Sequence, residues 1–198
     1  MSNILRIKEK IKNFKKTIKV PGDKSLSIRW VLFSSLANGT SKANNLLMSE
    51  DVLAAIKAVK QLGIKVIIKK KECKVFGKGI DGYKYKKNLT IDAQNSGTLG
   101  RLILGLLVNS PNPIHLVGDK SLSKRDFRRV SDPLSKFGAK FKLRKNNFLP
   151  LTIYGSSQLR PIKYNENKGS AQCKSSIIFA AMRTNGTTTI NAKKSRNH

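Results

Sequence analysis

Apolar residues recur along the chain at helical and strand periods in alternation. In "SEDVLAAIKAVKQLG", Val52, Ile56, Val59 and Leu62 fall on one face at helical spacing. Ser49 stands where an N-cap belongs, Glu50 and Asp51 place negative charge in the first turn, and Gly63 suits a left-handed cap at the far end. "IKVIIKK" then reads as a strand. The same order returns in "FRRVSDPLSKFG" followed by "AKFKLRK", where Phe127, Val130, Leu134 and Phe137 keep the helical spacing. Pro133 weakens that helix unless it lies in the first turn, which leaves the helix start open. "NLTIDAQNSGTLGRLILGLLV" predicts strand, loop and helix, with Leu99, Leu102, Ile103, Leu106 and Leu107 as the apolar stripe. "LANGTSKANNLL" and "RTNGTTTINAK" each predict a helix end, a tight turn at Asn38-Gly39 or Asn185-Gly186, and a β-rich strand.

These echoes, about 75 to 150 residues apart, predict duplicated α/β units packed together, too few and too irregular for an open solenoid. The fold class is α/β, each helix covering one face of a small mixed sheet. The most literal echo is an octapeptide. "GDKSLSIR" (Gly22 to Arg29) returns as "GDKSLSKR" (Gly118 to Arg125), differing only at Ile28 and Lys124.

Composition narrows the classes. The 198 residues, 39% of them apolar, suffice for a real core and argue against disorder. No stretch approaches the roughly 18 apolar residues a membrane span needs, and the first twenty residues lack the continuous apolar core of a secretory signal. Cys73 and Cys173 stand far apart in no metal-binding spacing, which fits a reduced cytoplasm. The net charge of +29 could mean nucleic acid. However, 30 of the 40 basic residues are lysines scattered through every segment. Arginine clusters interleaved with aromatics are absent, so solvated lysine faces are the plainer reading.

Four segments carry candidate chemistry. In "PGDKSLSIRW", Lys24, Ser25, Ser27 and Arg29 crowd a helix start, where free N–H groups and the dipole favour an anion. In "DAQNSGTLGR", Gly97 lets a ligand approach the backbone closely. In "GDKSLSKRDFRR", Arg125 repeats Arg29. In "KGSAQCKSS", Ser170 and Gln172 open an apolar run, and Gln172 can bond a hydroxyl or a carboxylate. His115 and His198 have no evident carboxylate partner, no GxxxxGK[ST] loop occurs, and only Asp23 or Asp92 could serve as a base in a candidate loop. Donors for anions are gathered here without a centre for proton transfer.

Taken together, "PGDKSLSIRWVLFSSLANGT", "NSGTLGRLILGLL", "GDKSLSKRDFRRVSDPLSKFGA" and "SAQCKSSIIFAA" resemble, in order, the motifs of the EPSP synthase (3-phosphoshikimate 1-carboxyvinyltransferase) family. The related UDP-N-acetylglucosamine enolpyruvyl transferases typically carry a reactive Cys in the loop matching Asp119–Arg125, and none stands there. The resemblance implies transfer of the carboxyvinyl group of phosphoenolpyruvate to the 5-hydroxyl of shikimate 3-phosphate, with release of phosphate, on the way to chorismate and the aromatic amino acids. It implies that Lys24 touches both substrates and that Ser25, Arg29, Ser170, Ala171 and Gln172 hold shikimate 3-phosphate. Gly97 and Arg125 would hold phosphoenolpyruvate, with Gln172 reaching it too, and Arg196 would match a phosphate-binding arginine of one subgroup. It further implies no metal or organic cofactor, small-molecule partners rather than nucleic acid or membrane, and a cytoplasmic, monomeric parent enzyme.

Three positions depart from the family pattern: Ile28 in place of His or Asn, Asp126 where Pro commonly follows the arginine, and Ala171 in place of the Ser of one subgroup. Gly97 keeps the small residue that the family links to glyphosate inhibition. By the resemblance the chain covers roughly the first half of a two-domain enzyme built from βαβαββ repeats. Residues 1–19 would pack with the second domain, and residues 20–198 would form a substrate-binding domain that stops inside its third repeat. The family's acid and base groups would lie in the other half, so this chain alone is expected to be poorly active or inactive.

Overall fold

A computed structural model describes residues 20–69 and 72–192. Five helices and nine strands alternate through them: α1 (Lys24–Leu36), β1 (Asn38–Asn44), α2 (Glu50–Gln61), β2 (Lys65–Lys69), β3 (Glu72–Lys78), β4 (Leu89–Asp92), α3 (Gly97–Leu106), β5 (Ile114–Val117), α4 (Arg128–Lys136), β6 (Lys140–Arg144), β7 (Phe148–Tyr154), β8 (Lys163–Glu166), α5 (Ala171–Ala181) and β9 (Thr189–Ala192). The central stretch, β4 to β7, runs strand-helix-strand-helix-strand-strand and closes a four-stranded sheet in the order β4-β5-β7-β6. Strands β4 and β5 are parallel; the β5–β7 and β7–β6 pairs are antiparallel. The preceding stretch, α1 to β3, repeats the order from its first helix onward, with an antiparallel sheet β1-β3-β2. The following stretch opens the same way, β8 and β9 pairing in parallel on either side of α5.

The apolar faces expected for the α2, α3 and α4 segments are buried. Val52, Val59 and Leu62 of the α2 segment are fully buried, and Gly63 takes the positive φ (+86°) that ends the helix. Helix α3 goes beyond its stripe: Leu104 is as buried as Leu99, Leu102, Ile103 and Leu106, so α3 is surrounded on all sides. A methyl on Gly105 would run into the backbone carbonyl of Ser176, which shows how closely α3 lies against α5. Phe33 stacks on Phe179 at 4.3 Å between ring centroids, joining α1 to α5. On the outer side of that pair Phe33, Ile178 and Met182 stay open to solvent.

Three expectations change in detail. Asn38-Gly39 is not a tight turn, because β1 begins at Asn38 and Gly39 bends the strand at φ +111°. Asn185 and Gly186 do lie in the bends between α5 and β9. Pro133 lies in the second turn of α4 rather than the first. Its ring is buried with Val130 and Leu134, so packing against the core offsets the lost backbone bond. Ser49 holds the N-cap position of α2, but its hydroxyl makes no capping bond.

Candidate anion-binding site

The site is built from the first turns of α1, α3 and α5. Each helix starts at a residue whose side chain accepts from the backbone N–H three positions on: Asp23 from Leu26 N at 2.7 Å, Ser96 from Leu99 N at 3.3 Å and Ser170 from Cys173 N at 3.2 Å. Side-chain bonds tie these turns together. Arg29 Nε of α1 donates to Ser175 Oγ of α5 at 3.2 Å. Gln172 Nε2 of α5 donates to Thr98 Oγ1 of α3 at 3.1 Å, and Arg101 Nη1 of α3 donates to Gln172 Oε1 at 2.9 Å. Three helix starts are thereby tied to one another, and the dipole at such ends suits negatively charged ligands.

Gly97 lies at the middle of this gathering. A methyl group in place of its hydrogen would sit 2.9 Å from Arg101 Nη1 and 3.1 Å from Arg125 Nη1. The backbone is therefore flanked by two guanidinium groups, one from its own helix and one from the second octapeptide. Arg101 is buried, its guanidinium lies 5.2 Å from the centre of the Phe127 ring, and burial followed by the nearby Arg129 and Arg125 pushes its pKa down to about 10. Its Nε has no hydrogen-bond partner among the described residues. Like charges crowded this closely are stabilised when an anion joins them.

Lys24 occupies a neighbouring position. Its ammonium pairs with Asp51 of α2 at 2.8 Å, beside a cavity of about 490 Å³ lined by these two residues together with Ser49, Glu50, Gln94 and Asn95. Asn95 Nδ2 donates to Asp119 Oδ2 at 2.6 Å, which joins the loop before α3 to the second octapeptide. Asp119 Oδ1 accepts from Leu122 N, and these two bonds, the backbone one first, hold its carboxyl below the usual range. Asp126 sits beside Arg125 in sequence, but its carboxylate turns to Arg128 at 2.9 Å, and that bond lowers its pKa. Among the described residues the Arg125 side chain keeps only a long contact to Ser121 Oγ at 3.4 Å.

The structure thus brings Gly97, Arg125 and Gln172 into one cluster, with Arg29 held one turn away through Ser175. Ser25 and Ala171 lie half-buried in the first turns of α1 and α5. Ser170 uses its hydroxyl as a cap and its backbone N–H to reach the buried Glu166 at 3.0 Å. Arg196 lies outside the described residues. Reading the sequence assigned no ligand role to Arg101, Thr98, Ser175 or Asp51. Only Arg101 carried a signal, as a lone cation one turn after Gly97 in an otherwise apolar helix.

Small sheets each covered by helices, with three helix starts tied together by side-chain bonds and a guanidinium pair around a glycine, define an α/β protein with a cluster of cations at its helix starts. The comparisons with known proteins give that class a family. The family model for EPSP synthase (3-phosphoshikimate 1-carboxyvinyltransferase) matches residues 8–198, and the chain belongs to this family. A 3-phosphoshikimate 1-carboxyvinyltransferase of Streptococcus suis is 41% identical over 196 residues, covering 98% of this chain and 46% of the relative. One from Bacillus cytotoxicus is 38% identical over 200 residues, again 46% of its length. A solved EPSP synthase of Acinetobacter baumannii superposes with a TM-score of 0.86 at 33% identity, over 91% of this chain and 41% of that one. The chain spans a little under half the length of the relatives it matches.

Proposed function

We propose that this chain supplies half of the active site of a 3-phosphoshikimate 1-carboxyvinyltransferase, which moves the carboxyvinyl group of phosphoenolpyruvate to the 5-hydroxyl of shikimate 3-phosphate and releases phosphate. The observation that carries this reading is the placement of Gly97 between Arg101 and Arg125 and beside Gln172, residues drawn from three separate motifs. Both substrates are multiply anionic, so bringing them together costs Coulomb repulsion that fixed cations offset. Lys24, Arg29 and Arg125 are the cations assigned to that task. Ser25, Ser170, Ala171 and Gln172 orient shikimate 3-phosphate from the helix starts, and Gly97 offers its backbone to phosphoenolpyruvate with Arg125 and Gln172 beside it. Arg196 is assigned to a phosphate by resemblance alone.

Residues 20–198 are read as one substrate-binding domain and residues 1–19 as a segment that packs with a second domain. The acid and base groups are assigned to the length that the relatives have beyond this match, so the chain alone binds more than it turns over. A cytoplasmic compartment and a monomeric enzyme complete the reading. Among the described residues no helix is long and apolar enough to cross a membrane.

The test is a titration of the full chain with shikimate 3-phosphate, followed through Trp30, the single tryptophan, which adjoins Arg29 in α1. Saturable binding that Arg29→Ala weakens by about tenfold or more is expected. Binding of UDP-N-acetylglucosamine in place of shikimate 3-phosphate would move the assignment to the related enolpyruvyl transferases. Salt-sensitive RNA binding that survives substitution of Lys24 and Arg125 would instead favour a nucleic-acid role.

A further inference from the structure

We propose that Arg101 is a positioning residue that fixes the side-chain amide of Gln172, so that Gln172 meets an anionic ligand as a donor and not as an acceptor. This deepens the proposed function and rests on that reading of Gln172 as a substrate ligand.

The argument begins with what each group can do. A guanidinium has five N–H donors and no acceptor, so the Gln172 atom 2.9 Å from Arg101 Nη1 must be the carbonyl oxygen Oε1. The amide can then present only its –NH₂ elsewhere. One of those hydrogens goes to Thr98 Oγ1 at 3.1 Å, which leaves the other without a bond among the described residues. The orientation follows from the chemistry of the partner, so it does not depend on telling nitrogen from oxygen. A free glutamine could flip and offer either end; this one cannot without facing an N–H toward a cation.

Arg101 is itself well held. It is 6% exposed, Nη1 also reaches the carbonyl of Gly97 at 3.4 Å, and its guanidinium packs against Phe127. Ser176 Oγ donates to the backbone carbonyl of Arg101 at 3.0 Å, a second tie between α3 and α5 one turn beyond Gln172. Burying a cation next to Arg125 and Arg129 with no carboxylate bonded to it among the described residues is unfavourable for folding alone. The residue is better explained by the anion that Gln172, Arg125 and the Gly97 backbone would share. The ligand chemistry is an oxyanion, carboxylate or phosphate.

The test uses the full chain with shikimate 3-phosphate and phosphoenolpyruvate titrated separately, so that the ligand whose affinity changes identifies the source of the oxyanion. Gln172→Glu keeps the shape, accepts from Arg101 and replaces the ligand-facing donor by an oxygen. It should melt no lower than the parent and bind at least one of the two ligands about tenfold or more weakly. Arg101→Leu, which frees the amide, should weaken the same ligand by a similar factor. In a Gln172→Ala background the same substitution should weaken it by a clearly smaller factor, because only the direct effect of the charge is left and the share that acts through the amide is missing. Arg101→Lys, which can still donate to Oε1, should restore most of the binding. Full additivity of Arg101→Leu and Gln172→Ala, or unchanged affinity for both ligands in Gln172→Glu, would overturn the proposal. If Gln172→Ala itself leaves both affinities unchanged, the reading of Gln172 as a ligand falls as well. If Arg101→Leu does not fold, Gln172→Glu and Arg101→Lys decide the question alone.

Discussion

The two octapeptides begin alike and end differently. In the first, Asp23 accepts from Leu26 N at 2.7 Å; in the second, Asp119 accepts from Leu122 N at the same 2.7 Å. The first then continues as α1, thirteen residues long, while the second makes one 3₁₀ turn at Leu122–Lys124 and breaks before α4. The differing position and the residues that follow it go with this difference. Ile28 is fully buried and opens a face continued by Val31 and Leu32, whereas Lys124 is exposed and is followed by charge. Burial is exchanged along with it: Leu26 is 67% exposed, but its counterpart Leu122 is fully buried. Local hydrogen bonding starts a helix, and an apolar face against the core is what extends it.

The divergence matters for the site. The helix in the first octapeptide carries Arg29 across to Ser175, and the break in the second lets Arg125 fold back toward Gly97. Identical letters thus place their arginines in different company. Lys24 and its counterpart Lys120 separate in the same way, since Lys24 pairs with Asp51 and Lys120 is exposed without a salt bridge among the described residues.

The harshest test of this comparison is Ile28→Lys, which makes the first octapeptide identical to the second. A charge in that buried position should cost about 3 kcal/mol or more, visible as a lower midpoint in urea unfolding. The reciprocal Lys124→Ile should change the midpoint by less than about 0.5 kcal/mol, because the side chain is exposed. An unchanged midpoint for Ile28→Lys would show that burial does not separate the two segments.

Gly97→Ala comes next. The added methyl meets side-chain atoms rather than backbone, the exposed Arg125 and the held Arg101, so folding should lose about 1–2 kcal/mol. Phosphoenolpyruvate affinity should fall about tenfold, and an enzyme carrying this segment should lose glyphosate sensitivity with it. Strong glyphosate resistance while Gly97 is intact would contradict the crowding argument.

Removing the two caps sharpens the comparison further. Asp23→Ala leaves a long helix without its side-chain cap and should cost about 1 kcal/mol. Asp119→Ala breaks a shorter turn, but it also frees Asn95, so its signature should be a shift in Asn95 and Gly97 amide resonances more than in melting temperature. The smallest effect is acid-dependent. The Asp119 carboxyl titrates below its ordinary value, so its contribution is present at pH values above that ordinary value and is lost as pH falls through the lower folded value. Asp119→Ala should therefore be slightly less stable than the parent at neutral pH, and the two should draw together as pH falls below about 4.

The amino-acid sequence alone determined the α/β class, the faces of α2 and α3, the helix-starting role of the octapeptide and the family to which its motifs point. Those signals are local, resting on spacing within one turn or one strand, and they can be read without knowing what lies opposite. Tertiary structure decided what local spacing does not contain. Arg101 meets Gln172 across 71 residues of chain and Arg29 meets Ser175 across 146, so neither pairing leaves a mark near either residue. It also decided that Pro133 could stay inside α4 and that the second octapeptide would not become a long helix, because the free energy of burial in a shared core outweighs the propensity of any one segment.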